Sequence, residues 1–219
     1  MAVCINQKAN PGPAFFVPYC GTLFEPIEYS ADGLSVVDGG AIGNPANTGE
    51  GGSSICSRIV YPTKDGSAQQ YYAEFEIDSL AGSATDWHRI IVQPLHGNGL
   101  DYEHGSGMLA EQYGWGRSTG TFYNPTNTAY AVSPWSASAG DKLGVLVDYV
   151  NSQIIWYKNG VAKGTIPMTT AAGREHEKLP FVLLIAHAIS TTQYFYWTAN
   201  LTNPTYLPNG ALAWDWPNS

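Results

Sequence analysis

Residues 140–166 contain the clearest indication of the fold; they read "GDKLGVLVDYVNSQIIWYKNGVAKGTI". Each of the two apolar runs in this stretch has the length of one β-strand. Asn159-Gly160 follows the second run, and this dipeptide favours a type I′ hairpin turn because both turn residues need positive φ. Leu143, Val145 and Val147 alternate along the first run, so they share one face and should point into a core. We interpret the stretch as framework and expect the working residues in the loops that it carries.

Further strand patterns recur from residue 30 onward, with Gly, Asn and Pro between them, as in a sandwich. They read "GLSVVDG", "SSICSRIVYP", "YYAEFEID", "WHRIIVQPL", "LPFVLLIAHA" and "QYFYWTANL". The third alternates: one face carries Tyr71, Ala73, Phe75 and Ile77, and the other carries Tyr72, Glu74, Glu76 and Asp78. The fifth is apolar on both faces, which predicts a central strand. No stretch has the periodicity of a long helix.

The composition bounds the possible functions. The chain has 219 residues, of which 44% are apolar and only 13% charged, and this suits one all-β domain with many turns. Its net charge of −8 repels phosphate backbones, so no nucleic-acid partner is expected. No apolar run is long enough to span a bilayer as a helix, so membrane insertion is not expected. The first residues lack the pattern of a secretory signal, so no classical export is expected.

The three cysteines, Cys4, Cys20 and Cys56, are odd in number and have no zinc-binding spacing. We expect reduced thiols, with a Cys4–Cys20 disulfide as the alternative.

Residues 1–29 are expected to form an extended arm, because Pro11, Pro13, Pro18 and Pro26 oppose a helix. Its apolar side chains can cover the core of the same chain or dock into a partner protein; the docking residues would be Phe15, Phe16, Tyr19 and Phe24. Residues 30–219 are expected to form the sandwich.

The stretch at residues 140–166 resembles the signature of SPRY (B30.2-like) domains, in which a Gly-Asp opens a strand, a turn follows, and an aromatic strand leads to "KNG" and a Gly. The matching positions are Gly140-Asp141, Leu143-Gly144, Asp148, Ile155 to Tyr157, Lys158-Asn159-Gly160 and Gly164. "QYYAEFEI", "YGWGRSTGTFYN", "LPFVLLIA" and "YFYWTANLTNPTYLPNGALAW" resemble other family segments in the same order. The chain departs from the family at Ala199-Asn200-Leu201, where the family has Asn-Phe-Gly, and in the loop at residues 95–107.

The resemblance implies an all-β fold, a bent two-sheet antiparallel β-sandwich of the concanavalin-like jelly-roll type. It also implies a binding module without catalysis or cofactor, which grips protein or peptide partners with loops at one end of the sandwich.

Three loops are therefore expected to bind the partner, at residues 96–107, 113–127 and 167–178. Aromatic and arginine side chains dominate binding hot spots, because they combine a large apolar area with a polar handle. The candidate residues are Asp101, Tyr102, Tyr113, Trp115, Arg117, Phe122, Tyr123, Arg174 and Glu175, with His176 next to the last. As the alternative, Trp115 and Tyr123 cap the core.

Two chemical interpretations compete with recognition. Glu74, Glu76 and Asp78 are spaced along one strand face at about 6.5–7 Å, a distance at which paired carboxylates can hydrolyse glycosides. The SPRY pattern itself carries glutamates here on a structural strand, so we expect no enzyme. The loop "LHGNGLDYEHGSG" offers His96, Asp101, Glu103 and His104 as metal donors, but without a recognised ligand spacing. We expect no metal there.

The sequence therefore predicts a recognition or assembly module. In one version it is an accessory component of a larger particle, such as a virion head or tail decoration protein, located on the virion surface. In a second version it is a free-standing, cytoplasmic adaptor for a peptide or protein. In a third it is a lectin-like module, since aromatic loop residues also stack on sugars.

Overall fold

The computed structural model describes residues 16–18, 28–29, 36–38, 52–64, 66–81, 89–95, 113–116, 121–123, 129–130, 136–168, 175–187 and 194–215. Within these ranges the chain is almost entirely β-strand, with a single short 3-10 helix at His176–Lys178. The strands form two large antiparallel sheets, and this confirms the predicted two-sheet sandwich.

The first sheet has seven strands in the spatial order β1-β4-β15-β8-β9-β10-β11. Their bounds are β1 Phe16–Pro18, β4 Gly52–Val60, β8 Arg89–Pro94, β9 Tyr113–Gly116, β10 Thr121–Tyr123, β11 Ala129–Tyr130 and β15 Phe181–His187. β15 lies between β4 and β8, and Val182 and Leu184 on one face are as buried as Leu183 and Ile185. The prediction of a central strand, apolar on both faces, is confirmed.

The second sheet has the order β14-β13-β12-β7-β16, and β17 adds to β7 in parallel. The bounds are β7 Gln70–Ala81, β12 Lys142–Asp148, β13 Gln153–Lys158, β14 Val161–Pro167, β16 Tyr194–Asn200 and β17 Leu212–Ala213. Two ribbons complete the described strands: β2 Glu28–Tyr29 pairs with β3 Val36–Asp38, and β5 Thr63–Lys64 pairs with β6 Ser67–Ala68.

The β13–β14 hairpin turns at Asn159-Gly160, where both residues have positive φ, at 50° and 76°. This is the backbone that a type I′ turn requires, so the predicted hairpin is confirmed.

The core lies between the two sheets and follows the predicted alternation. Leu143, Val145 and Val147 on β12 point into it, as the sequence predicts. Tyr71, Ala73, Phe75 and Ile77 on β7 do the same, and so do Trp156 and Trp197 on the neighbouring strands. This inward face of the second sheet packs against Ile90, Val92, Tyr113, Trp115, Phe181, Leu183 and Ile185 of the first.

The described residues of the predicted arm pair with later segments of the same chain, residues 16–18 with β4 and residues 28–29 with β3. Residues 16–18 form β1, the edge strand of the first sheet, with Phe16 opposite Cys56 and Pro18 opposite Ser54. This part of the arm therefore pairs with its own chain. The division at residue 29 stays a prediction.

Candidate partner-binding rim

One end of the sandwich gathers the points where two of the predicted binding segments leave the sheets. β8 ends at Pro94, opposite Phe181, and β9 begins at Tyr113, opposite Val92. Residues 96–112, which include Asp101 and Tyr102, thus leave and rejoin the first sheet at the same end. The Leu95 N–H donates to the Pro180 carbonyl over 2.8 Å and joins this segment to the start of β15.

The segment that holds Arg174 leaves from the same end. β14 ends at Pro167, opposite Gln153, and the Met168 N–H donates to the Ser152 carbonyl over 2.9 Å. The turn at residues 149–152 therefore lies beside this exit. The Tyr149 hydroxyl reaches the Leu179 carbonyl at 2.9 Å, which connects the second sheet to the chain just before β15. We call this end, formed by residues 60–61, 95, 149–152 and 175–180, the rim.

A cluster of buried rings supports the rim from below. Its members touch mainly edge to face, with ring centroids 5.7 to 6.5 Å apart. They are Tyr71, Tyr113, Tyr149, His176 and Phe181. Edge-to-face pairs of this kind add stability beyond simple burial. The cluster holds both sheets and the 3-10 helix in one rigid base.

The polar groups of this base are held by hydrogen bonds. The Tyr113 hydroxyl and Nδ1 of His176 lie 2.8 Å apart, and the imidazole is fully buried. Burial raises the pKa of the Tyr149 hydroxyl well above its usual range, and the nearby Tyr71 acts in the same direction. Burial also raises the pKa of Tyr71. The tyrosines thus stay neutral.

The described surface of the rim is part apolar and part charged. Tyr61 and Val150 expose 42% and 57% of their surface there. Glu175 and Lys178 lie in the open and form an ion pair. The hydrogen bond that Lys178 donates to Glu175, and then the negative charge of Glu175, raise the pKa of Lys178, so this residue stays a cation. Such a surface can contact a protein.

The structure corrects the sequence expectation for Tyr113 and Trp115. Both lie on β9 with fully buried side chains, and Trp115 packs in the core opposite Ile90. Phe122 and Tyr123 also lie on a strand, β10, and not in a loop. His176 is likewise buried beneath the rim. The prediction of a loop was wrong for Tyr113, Trp115, Phe122 and Tyr123, because the two short strands β9 and β10 pair within "YGWGRSTGTFYN".

Most of the remaining candidate binding residues lie outside the described ranges, and only the positions of neighbouring residues are known. Arg117 follows Gly116, which pairs with Arg89 at the other end of the first sheet, so its segment starts away from the rim. Glu175 is exposed at the rim. Asp101, Tyr102, Arg117 and Arg174 lie outside the described residues, and so do Phe15, Tyr19 and Phe24; Phe16 is described only as part of β1.

The acidic face of β7 is structural. Glu74 is buried, and its two oxygens accept from the backbone N–H groups of Thr205 (2.8 Å) and Tyr206 (3.0 Å). Glu76 pairs with Lys142, and Asp78 accepts from the Thr198 hydroxyl over 2.8 Å. Each carboxylate thus has its own partner, and this arrangement differs from a pair that faces one sugar.

The other competing interpretation, a metal, has no described candidate. The residues proposed for it, His96, Asp101, Glu103 and His104, lie outside the described ranges. Within those ranges, no group of three or more His, Cys, Asp or Glu side chains is placed to hold an ion. Cys4 and Cys20 also lie outside, and Cys56 is described only as a residue of β4.

Three large apolar side chains are exposed at the end of the second sheet opposite the rim, and they were not among the residues predicted from the sequence. Val161, Tyr206 and Leu207 expose 58%, 40% and 41% of their surface. The Tyr206 ring covers Gly160 of the hairpin turn, where a Cβ would come within 2.7 Å of it. We call these three residues the hairpin patch. "NPTYLPNG", with apolar residues between prolines, was the available signal in the sequence.

Glu74 and Tyr72 organise the outer face beneath this patch. Tyr72 packs with Leu146 and Ala211 and stacks edge to face on Tyr157 at 5.7 Å. It lies so close to the sheet that a Cβ on Gly144 would sit 2.0 Å from its hydroxyl oxygen. Burial, and next the negative charge of Glu74, raise the pKa of Tyr72.

Within the described part of the protein, no helix is both long and apolar enough to cross a bilayer.

Comparison with known proteins identifies the fold alone. No protein-family model matches the sequence, and no curated protein matches it significantly. Among solved structures, the protein is similar to the crystal structure of the SPRY domain of human HERC1, at 14% sequence identity and a TM-score of 0.51. The match covers 76% of this protein and 91% of that domain. The two-sheet sandwich described above is therefore the fold of SPRY domains.

Proposed function

We propose that this protein is a non-catalytic protein-recognition module that grips its partner at the rim. The observation that carries the proposal is that Pro94, Tyr113 and Pro167, the strand ends that flank two of the predicted binding segments, lie at one end of the sandwich beside the buried ring cluster. Loops on a rigid β scaffold are the usual place for binding residues. The SPRY fold favours the same function, and the acidic strand offers no catalytic pair.

Site-specific photocrosslinking tests where the partner binds. A photoreactive residue would replace Val150 at the rim or, as the matched control, Val161 in the hairpin patch; both positions are highly exposed. Each variant would be irradiated in lysate of the source cells. We expect one discrete crosslinked protein with the rim probe and none with the control. A discrete product only from residue 161 would assign binding to the hairpin patch and reject the rim.

The finer version makes the protein an accessory component of a larger particle, such as a virion head or tail, held by the arm and displayed on the virion surface. Its support is compositional: few charges and abundant Gly, Thr, Asn and Tyr. Because residues 16–18 pair with β4, a truncation at residue 29 would remove an edge strand. Deletion of residues 1–15, combined with Tyr19→Ser and Phe24→Ser, tests the arm without that damage. Size-exclusion chromatography of the variant should show that the protein no longer assembles. An unchanged assembly state would reject docking through the arm.

Two alternatives remain as separate proposals. A cytoplasmic adaptor would bind a soluble peptide or protein through the same rim, and the crosslinked product would be that protein and no particle component. A lectin-like module would bind sugars, and the exposed Tyr61 at the rim is the described aromatic that could stack on them. A glycan array with Tyr61→Ser as the control distinguishes it, since only sugar binding through this ring would be lost.

A further inference from the structure

The sequence contains three Asn-Gly dipeptides, and two of them have very different surroundings in the structure. They are Asn98-Gly99, which lies outside the described residues, Asn159-Gly160 in the β13–β14 turn, and Asn209-Gly210 in the segment that follows the hairpin patch. Asn-Gly is the dipeptide at which a backbone nitrogen most easily attacks the preceding side-chain amide, because glycine has no side chain to obstruct the approach.

At Asn159 the side-chain amide is held on both sides. Its Oδ1 accepts from the Lys142 N–H over 2.8 Å, and its Nδ2 donates to the Asp141 carboxylate over 2.8 Å. The second bond is charge-assisted and so among the stronger ones. Gly160 is also covered by the Tyr206 ring. The amide carbon therefore cannot turn toward the Gly160 nitrogen without loss of these contacts.

At Asn209 neither restraint is present. The residue is exposed, and the described residues provide no hydrogen-bond partner for its side chain. Around Gly210, which is also exposed, a Cβ would meet nothing within 4 Å. The dipeptide forms the centre of a turn closed by the Ala211 N–H and the Pro208 carbonyl at 3.0 Å, with Gly210 at φ +86°. Water and the Asn209 amide both have room to move there.

We propose that Asn209 is a site of spontaneous deamidation in the folded protein, and that Asn159 is protected. The Gly210 backbone nitrogen loses its proton and bonds to Cγ of Asn209, the bond between Cγ and Nδ2 breaks, and ammonia leaves. Water then opens the cyclic imide at either carbonyl and yields aspartate or isoaspartate. Water is the one co-reactant, and no electrons are transferred. The product has a new carboxylate two residues from Leu207 of the hairpin patch.

Timed incubation of the full-length protein in mildly alkaline buffer, folded or in urea, tests this inference by peptide mass mapping. Cleavage after Lys and Arg puts Asn98, Asn159 and Asn209 in separate peptides, 90–117, 159–163 and 179–219. In the folded protein we expect the reaction at Asn209 to be at least about tenfold faster than at Asn159, because that amide must first leave a charged hydrogen-bond partner. In urea the two rates should become similar. Equal rates in the folded protein, or an intact Asn209 there while it reacts in urea, would overturn the proposal.

Two variants locate the cause. Asn209→Gln should abolish the product in peptide 179–219; persistence there would show that another asparagine reacts. Asn203 in the same peptide is an internal control, because it precedes Pro204, which has no N–H to attack with. Asp141→Asn removes the charged partner of Asn159 and should accelerate deamidation at Asn159 in the folded protein. An unchanged rate, with folding verified by its melting temperature, would show that the hydrogen bond does not protect it.

Discussion

The hydroxyl of Tyr113 and Nδ1 of His176 lie 2.8 Å apart in the core, although 63 positions separate the two residues in the sequence. The contact joins the start of β9 to the 3-10 helix that precedes β15. It therefore connects the anchor points of two segments that we propose as partner-binding loops. Rigid anchors lower the entropy that such loops lose on binding.

Tyr113→Phe should lower the free energy of unfolding by about 1–3 kcal/mol, because it leaves a buried hydrogen-bonding atom of His176 without this partner. Urea unfolding followed by fluorescence measures it. Tyr61→Phe is the matched control. The ring at position 61 is exposed, so this substitution should change the free energy of unfolding by no more than about 0.5 kcal/mol. Equal losses in the two variants would mean that the Tyr113–His176 bond contributes nothing.

Trp115→Ala should unfold or severely destabilise the protein, since removal of a fully buried tryptophan costs about 3–5 kcal/mol. The sequence alone left two possibilities for Trp115, a loop residue that binds the partner and a residue that caps the core. Thermal unfolding decides the matter, with Val150→Ala as the exposed control. A melting temperature of Trp115→Ala close to that of the control would contradict the burial of this residue.

Gly144→Ala should lower the free energy of unfolding by about 1–3 kcal/mol, because the new methyl group would overlap the Tyr72 ring and hydroxyl. In a protein that already carries Tyr72→Ala, the same substitution should be nearly neutral. The double-mutant cycle measures this coupling directly. If Gly144→Ala costs as much without the tyrosine as with it, the cause lies in the backbone and not in the close approach of the ring.

Glu74→Ala should lower the free energy of unfolding by about 1–3 kcal/mol, since it leaves the N–H groups of Thr205 and Tyr206 without their acceptor. Glu76→Ala should lose no more than about 1 kcal/mol, because its ion pair with Lys142 is partly exposed. Chemical denaturation of both variants compares the two carboxylates. A larger loss at Glu76 would contradict the assignment of Glu74 as the anchor of residues 205–206.

Asp148 should make stability depend on pH in the acid range. Burial acts to raise the pKa of its carboxyl, but side-chain hydrogen bonds from Asn151, Gln153 and Gln70, with the Asn151 N–H, outweigh it and lower the pKa. As the pH falls, the Asp148 carboxylate is therefore protonated in the unfolded state before it is protonated in the folded state. Its contribution to the free energy of unfolding is present in full above the pKa of the unfolded state. It is lost as pH falls below about 4 toward the folded value.

Asp148→Asn should therefore flatten the fall in stability between neutral and acid pH. Urea midpoints across that range, in parent and variant, provide the measurement. Asp141 supplies a second contribution of the same sign, since its hydrogen bonds with Lys158 and Asn159 outweigh burial and lower its pKa. The slope should thus decrease without vanishing; an unchanged slope would remove Asp148 from the acid response.

Much of the framework could be predicted from local sequence. The faces of β7 and β12 follow from strict alternation, and the turn at Asn159-Gly160 follows from the positive φ that these residues tolerate. The same local logic failed at "YGWGRSTGTFYN", where glycines lie within paired strands and Trp115 is buried. It also could not assign Glu74, because its two partners are backbone groups 131 and 132 positions away.

The order of amino acids was enough to predict which residues alternate into a core, where the hairpin turns, and that the protein forms a two-sheet sandwich with the fold of SPRY domains. Three-dimensional packing was needed to show which end of the sandwich gathers the strand ends at Pro94, Tyr113 and Pro167, and which aromatic residues are buried. The reason is that these outcomes depend on strand order, with β15 beside both β4 and β8, and on pairing between distant segments. Local periodicity specifies the face on which a side group lies, but it has no information about which strand will cover that face.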